Sequence, residues 1–296
     1  MKALLLTLAL LLVPLASAGG EGAGTTPKFT PWNAGLTAAE PPFQVQRLDP
    51  DTYVIRQSVR TNFEAPFLYL LVGTTRALLL DSGAGNASLR PVIDAIMAER
   101  RAELGTPDLP LTVAHSHSHS DHHQGDAELA ARPGTTVIGL TPTAVAAAFH
   151  IKHWPGDIGH IELGNRRLAI IPTPGHEPAH IMVHDPQTAA LLTGDSLYPG
   201  RLYVPIDQFG TYRASIDRAV RYVKTRKIRV LLGAHIEMRR TAGEDYAQQA
   251  SSHPDEHPLE LAPAALGELQ VALHKVTGEP VRDTHKDFII VPRWPR

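Results

Sequence analysis

Four short runs of largely apolar residues in this chain each lead into a histidine or an aspartate. That recurrence constrains the fold more than any other feature. Leu111-Thr112-Val113-Ala114 opens a tract that carries five histidines and one aspartate within residues 114–125. Leu168-Ala169-Ile170-Ile171 leads to Thr173-Pro174-Gly175-His176, and Ala189-Ala190-Leu191-Leu192 leads to Thr193-Gly194-Asp195. Ile228-Arg229-Val230-Leu231 leads to Leu232-Gly233-Ala234-His235. Short runs of this kind bounded by turn residues read as buried strands. Strands that end at one rim of a sheet gather side chains that lie far apart in sequence. Imidazoles and carboxylates gathered there suit Zn²⁺ or another borderline first-row metal. A solvated histidine-rich tract that binds metal adventitiously would account for residues 115–123 alone. It leaves unexplained both the carboxylate inside the tract and the matching ends downstream.

The order His117-x-His119-x-Asp121-His122-x-x-Gly125, then Thr173-Pro174-Gly175-His176, Gly194-Asp195 and His235, resembles the metallo-β-lactamase-fold hydrolases over residues 43–240. The resemblance implies an α/β fold, a four-layer αββα sandwich with its site along one sheet edge. It implies that His117, His119 and His176 hold a first metal, that Asp121, His122 and His235 hold a second, and that Asp195 bridges them. Two Zn²⁺ per chain are expected, with iron or manganese as alternatives. His117 and His119 are one residue apart, so an extended segment projects both to the same side. By the same resemblance Asp81 and His180 support the site without binding metal, and Asp121 also orients a hydroxide and takes up its proton. Ala179 stands where the family pattern has glycine, a small change that leaves the ligand spacing intact. His115 and His123 fall outside that spacing and read as supporting or packing residues.

The chain has no cysteine, which excludes disulfides, thiolate ligands and a thiol nucleophile. A net charge of −2 over 296 residues gives no nucleic-acid footprint. With 43% apolar residues, the chain can build a substantial core. Residues 1–18, with Lys2, an apolar run and Ala16-Ser17-Ala18, read as a Sec-type signal peptide. The run is too short for a comfortable membrane span, so no stable membrane insertion is expected once it is removed. A periplasmic or secreted protein is expected, with residues 19–42 as an extended arm and 43–296 as one hydrolase domain.

Residues 43–57 read as a first hairpin, 158–171 and 181–192 as two more, and 88–103 and 212–227 as helices. A weak helix is expected over 259–276 and a closing strand at 288–291. Residues 196–211 read as a loop that borders the substrate with Tyr198, Arg201 and Tyr203, joined by Trp154. His253, His257 and His285 read as solvated.

The resemblance implies hydrolysis of an acyl carbonyl in an ester, thioester, lactone or lactam by a metal-bound hydroxide. Three alternatives stand beside it: a β-lactamase in the strict sense, a mononuclear iron sulfur dioxygenase of the same fold, and a non-catalytic metal-binding protein. The ligand set, with Asp195 as bridge, is closest to that of glyoxalase II. Only 61 residues follow His235, however, too few for that enzyme's helical glutathione-binding domain, so a smaller or more apolar acyl group is expected.

Overall fold

The computed structural model describes residues 29–294; the expected signal segment lies outside them. The first sheet holds β1 (Phe43–Asp49), β2 (Thr52–Gln57), β3 (Phe67–Val72), β4 (Ala77–Leu80), β5 (Leu111–Ala114) and β6 (Thr135–Val137), in that order. Helices α1 (Arg90–Leu104), α2 (Asp126–Ala130) and α3 (Pro142–Ala148) are interspersed. The second half contributes β7 (Gly159–Glu162), β8 (Arg167–Pro172), β9 (Ile181–Asp185), β10 (Ala190–Gly194), β11 (Arg201–Pro205), α4 (Phe209–Val223), β12 (Val230–Gly233), β13 (Glu260–Leu261), α5 (Ala264–Lys275), β14 (Asp283–Thr284) and β15 (Ile289–Arg293). Its main sheet has the order β13-β12-β10-β9-β8-β7, and a small third sheet has the order β11-β15-β14.

Strands buried on both faces produce the layering. Phe67, Tyr69 and Leu71 of β3 face the second sheet and pack with Ile170, Val183 and Leu192. Their neighbours Leu68 and Leu70 point the other way, onto Ile93 and Met97 of α1. In the second sheet Ile171, Met182, Leu191 and Leu231 face outward onto Ile216 and Ala219 of α4 and Leu266 and Leu269 of α5. A period of two with both phases apolar therefore makes three apolar layers between helix, sheet, sheet and helix. At about 1.5–3 kcal/mol for each fully buried large aliphatic side chain, these layers are the dominant stabilising contribution.

Each half repeats one connection. In the first, β4 crosses through α1 to parallel β5; in the second, β10 crosses through α4 to parallel β12. The carboxyl ends of β4, β5, β8, β10 and β12 then deliver Asp81, the histidine tract, His176, Asp195 and His235, the usual location for a site in open α/β sheets.

Two expectations are corrected. Residues 196–211 are not a plain loop: β11 lies within them and pairs in parallel with β15, with Leu202 and Val204 buried and Tyr203 on the other face. The expected helix over 259–276 is split. Glu260 and Leu261 extend the second sheet as β13, and the helix starts only after Pro263, whose missing N–H is tolerated at a helix start. Residues 29–42 form no regular element, but Trp32 is buried and meets Phe67 edge-on with ring centroids 5.0 Å apart.

Candidate metal centre

The histidine tract leaves β5 and turns through Ser120–His122. Ahead of that turn, Ser116 donates its N–H to Asp81 Oδ1 (2.6 Å) and its hydroxyl to Asp81 Oδ2 (2.9 Å). Asp81 Oδ2 also accepts from His122 Nδ1 (3.0 Å). Asp81 sits at φ +69°, a left-handed conformation that Asp tolerates better than most residues.

Backbone carbonyls set two more rings. His176 Nδ1 donates to the Tyr203 carbonyl (2.7 Å), and His235 Nδ1 donates to the Glu64 carbonyl (2.8 Å). A carbonyl can only accept, so the Nε2 of each ring is left as a ligand atom. His180 is held differently: its Nε2 accepts the Asp195 N–H (3.2 Å), and its Nδ1 lies 2.8 Å from Thr173 Oγ1. His180 therefore fixes the strand end that carries Asp195 rather than offering a nitrogen to the centre. Glycine is required twice here. A Cβ on Gly175 (φ +138°) would come within 2.3 Å of Tyr212 Cα, and one on Gly194 (φ +51°) within 2.8 Å of His180 Nε2.

Seven side chains converge as a result. His119 Nδ1 is 2.9 Å from His117 Nε2 and 3.1 Å from His176 Nε2. Asp195 Oδ2 is 3.8 Å from His117 Nε2 and 3.5 Å from His176 Nε2. Its other oxygen, Oδ1, is 3.6 Å from His122 Nε2 and 3.3 Å from His235 Nε2. Asp121 Oδ2 lies 3.1 Å from His122 Nε2 and 3.4 Å from His235 Nε2. Ligands bonded at about 2.0–2.1 Å around a tetrahedral Zn²⁺ are separated by about 3.3–3.4 Å, which these distances bracket. His117, His119 and His176 form one candidate metal-holding set; Asp121, His122 and His235 form another; Asp195 groups with His117 and His122. His122 Nε2 and Asp195 Oδ1 are buried without a hydrogen-bond partner among the described residues. Such atoms cost free energy unless something binds them, so the donor set fits metal ions.

Electrostatics divides the centre. Burial holds the imidazoles of His117 and His176 below their ordinary value, His176 at about 4, which keeps them neutral and able to ligate. Burial also opposes charge on His122 and His235, but Asp121 and Asp195 outweigh it and raise both rings well above the ordinary value. Burial would raise the two aspartates as well, yet His122 and His235 hold both carboxyls well below it. Divalent cations would replace the protons that these two histidines carry.

A cavity of about 600 Å³ opens over the centre. Tyr198, Arg201 and Tyr203 line it, as do Glu64, Glu237 and Arg293. Trp154 does not: it packs half-buried against the inter-sheet core, where an indole beside α3 finds apolar neighbours. Arg201 is tied to Glu237 (2.7 Å) and Asp245 (3.0 Å). The three histidines expected to be solvated are paired with carboxylates instead. His253 is buried, stacks on Tyr246 at 4.2 Å and meets Glu256 at 3.2 Å, and it lines the cavity. His257 meets Asp287 (3.1 Å), and His285 meets Glu268 (2.9 Å). His115 meets Asp126 (2.9 Å), outside the centre.

The sequence profile of the Metallo-beta-lactamase superfamily matches residues 62–235. The chain belongs to that superfamily. Among its relatives, a human protein named acyl-coenzyme A thioesterase MBLAC2 is 25% identical over 202 residues, covering 57% of this chain and 72% of that protein. A hydroxyacylglutathione hydrolase of Cereibacter sphaeroides is 31% identical over 135 residues, 43% of this chain and 50% of that protein. Among solved structures, a metallo-β-lactamase from Pontibacter korlensis superposes with a TM-score of 0.52 at 16% identity, covering 79% of this chain and all of that one. This structural likeness speaks to the superfamily fold alone.

Several contributors left no mark in the sequence pattern. Glu64 and Tyr203 act on the ligands through backbone carbonyls, which every residue type carries. Ser116 was inside the tract and alternates with the ligands, but hydroxyls are common in such loops.

Proposed function

We propose that this superfamily member is an exported hydrolase that holds two metal ions and cleaves an acyl thioester or activated ester. The observation that carries the reading is the division of Asp195, whose two carboxylate oxygens each face a separate pair of histidines. Seven ligands split in this way exceed what a single iron requires, which favours the hydrolase over the mononuclear dioxygenase. When bound, two such ions polarise an acyl oxygen and lower the pKa of a water toward about 7. The chain's own groups do the remaining work. Asp121, which lines the cavity, would orient the attacking water and accept its proton. Asp81, Tyr203 and Glu64 hold the ligand rings in one orientation, so little reorganisation is needed during reaction. Ser120, the serine lining the cavity, has no base hydrogen-bonded to its hydroxyl among the described residues, which favours direct attack over an acyl-enzyme. A thiolate, whose parent acid has a pKa of about 8.5, leaves without a proton donor, and the names of the two relatives agree with a thioester. Residues 1–18 support export.

Native mass spectrometry of the purified protein should show two metals per chain. A screen of acyl thioesters, aryl esters, lactones, lactoylglutathione and a chromogenic cephalosporin should place thioesters first, with lactoylglutathione not favoured among them. A single iron with oxygen consumption, or cephalosporin turnover far above the rest, would overturn the proposal.

A further inference from the structure

The cavity wall contains one arginine that no carboxylate pairs with among the described residues. Arg293 ends β15, whose parallel pairing with β11 sets Tyr203 opposite Val291 and Pro205 opposite Arg293. Arg293 is therefore the same-face diagonal neighbour of Tyr203, and its guanidinium carbon lies 3.5 Å from the centroid of that ring. Tyr203 is a fixed platform: Gln248 donates to its hydroxyl (3.0 Å), and its carbonyl orients His176. One residue thus reaches from a candidate metal ligand to the cation. Stacking occupies a face of the guanidinium and leaves its planar fork of N–H donors at the edge. No carboxylate pairs with Arg293 and no side-chain hydrogen bond is made by it among the described residues. The other cavity arginine, Arg201, is spent on Glu237 and Asp245. Phe63 and Trp294 flank the opening and are 42% and 67% exposed, apolar surface able to cover the body of a ligand.

We propose that Arg293, stacked on Tyr203 at the cavity mouth, is a specificity residue that receives an anionic group distal to the scissile carbonyl. A planar, pre-oriented fork suits a carboxylate or a phosphate monoester equally, and it selects substrates by binding rather than by chemistry. The role of the anion as part of a substrate rests on the hydrolase reading; its binding does not.

Two matched substrate pairs test the idea with the full metal-loaded protein. One pair is para-nitrophenyl hexanoate and para-nitrophenyl hydrogen adipate; the other is S-acetylpantetheine and its phosphate ester. In Arg293→Ala the preference for the anionic member of a pair, as a ratio of kcat/KM, should fall at least tenfold, mostly through KM. Arg293→Lys should recover part of it. A fall in the first pair alone assigns a carboxylate, and in the second alone a phosphate. Calorimetric titration with adipate and with inorganic phosphate gives a reading that needs no turnover: affinity for the assigned anion should drop at least fivefold in Arg293→Ala and respond to added salt. Equal losses on both members of each pair, with unchanged anion affinity, would overturn the assignment. If no ester or thioester is hydrolysed by the unmutated protein, the hydrolase reading falls and the titration alone decides the anion site.

Discussion

Asp81 illustrates how much a single side chain does here without being one of the candidate ligands. Its carboxylate takes three hydrogen bonds, from the Ser116 amide, the Ser116 hydroxyl and His122 Nδ1. The last of these keeps His122 Nε2 aimed at the centre. Asp81→Asn tests this cleanly, because Asn tolerates the same left-handed backbone while giving up one acceptor oxygen. Metal affinity, measured by competition with a chromophoric chelator, should weaken by about 10–100-fold. The ion on the Asp121–His122–His235 side should be lost first. An affinity equal to that of the unmutated protein would remove Asp81 from the orienting role. Gly175 and Gly194 belong to the same scale: at both, a backbone conformation and a close approach exclude any side chain, so the strand ends meet the centre at fixed angles.

Among the elements, β2 and the segment after β12 are joined by a buried ion pair. Arg56 is fully buried and forms two 2.6 Å hydrogen bonds with Glu256, which also meets His253. Burial opposes ionisation of Glu256, but Arg56 and His253 outweigh it and hold its carboxyl below the ordinary 4.5. A carboxyl whose value is depressed in the folded state contributes stability that is fully present above the unfolded value. That stability is lost as pH falls through the folded value, so the loss should begin below 4.5. Glu256→Gln leaves the Arg56 charge buried without its partner and should cost about 3–5 kcal/mol at neutral pH. The variant should also show a shallower loss of stability in acid than the unmutated protein. Urea unfolding at a series of pH values checks both; parallel acid slopes would show that this pair does not carry the effect.

On the scale of the whole molecule, the centre joins the two halves of the sandwich. His117, His119, Asp121 and His122 follow β5 of the first sheet, whereas His176, Asp195 and His235 follow β8, β10 and β12 of the second. Metal bound there resists separation of the sheets, because an unfolded chain cannot present ligands from both. With free Zn²⁺ a thousandfold above its dissociation constant, binding should add about 4 kcal/mol, or roughly 7 °C in Tm for a chain of this size. Thermal unfolding before and after chelation, with the metal content measured in each sample, checks this. An unchanged Tm in fully stripped protein would mean that the fold is complete without its ions.

Local sequence determined the hairpins within residues 43–57, 158–171 and 181–192, the strands that lead into the candidate ligands, and the spacing of those ligands. Periodicity and turn residues are local properties, and an imidazole or carboxylate that ends an apolar run announces itself. Tertiary structure alone decided the cavity. The wall that carries Tyr203 depends on β11 pairing with β15, which lies 88 residues further along the chain at the Pro205–Arg293 register; no local pattern encodes such a partner. The pairing of His257 with Asp287 and of His285 with Glu268 depends on carboxylates that folding brings from 30 and 17 residues away, and His253 is buried by its stacking on Tyr246. Trp154 went to the core because an indole beside apolar side chains gains more than one at a wet rim. The carbonyls of Glu64 and Tyr203, which orient His235 and His176, are chemically identical in every residue, so only their placement in space gives them a function.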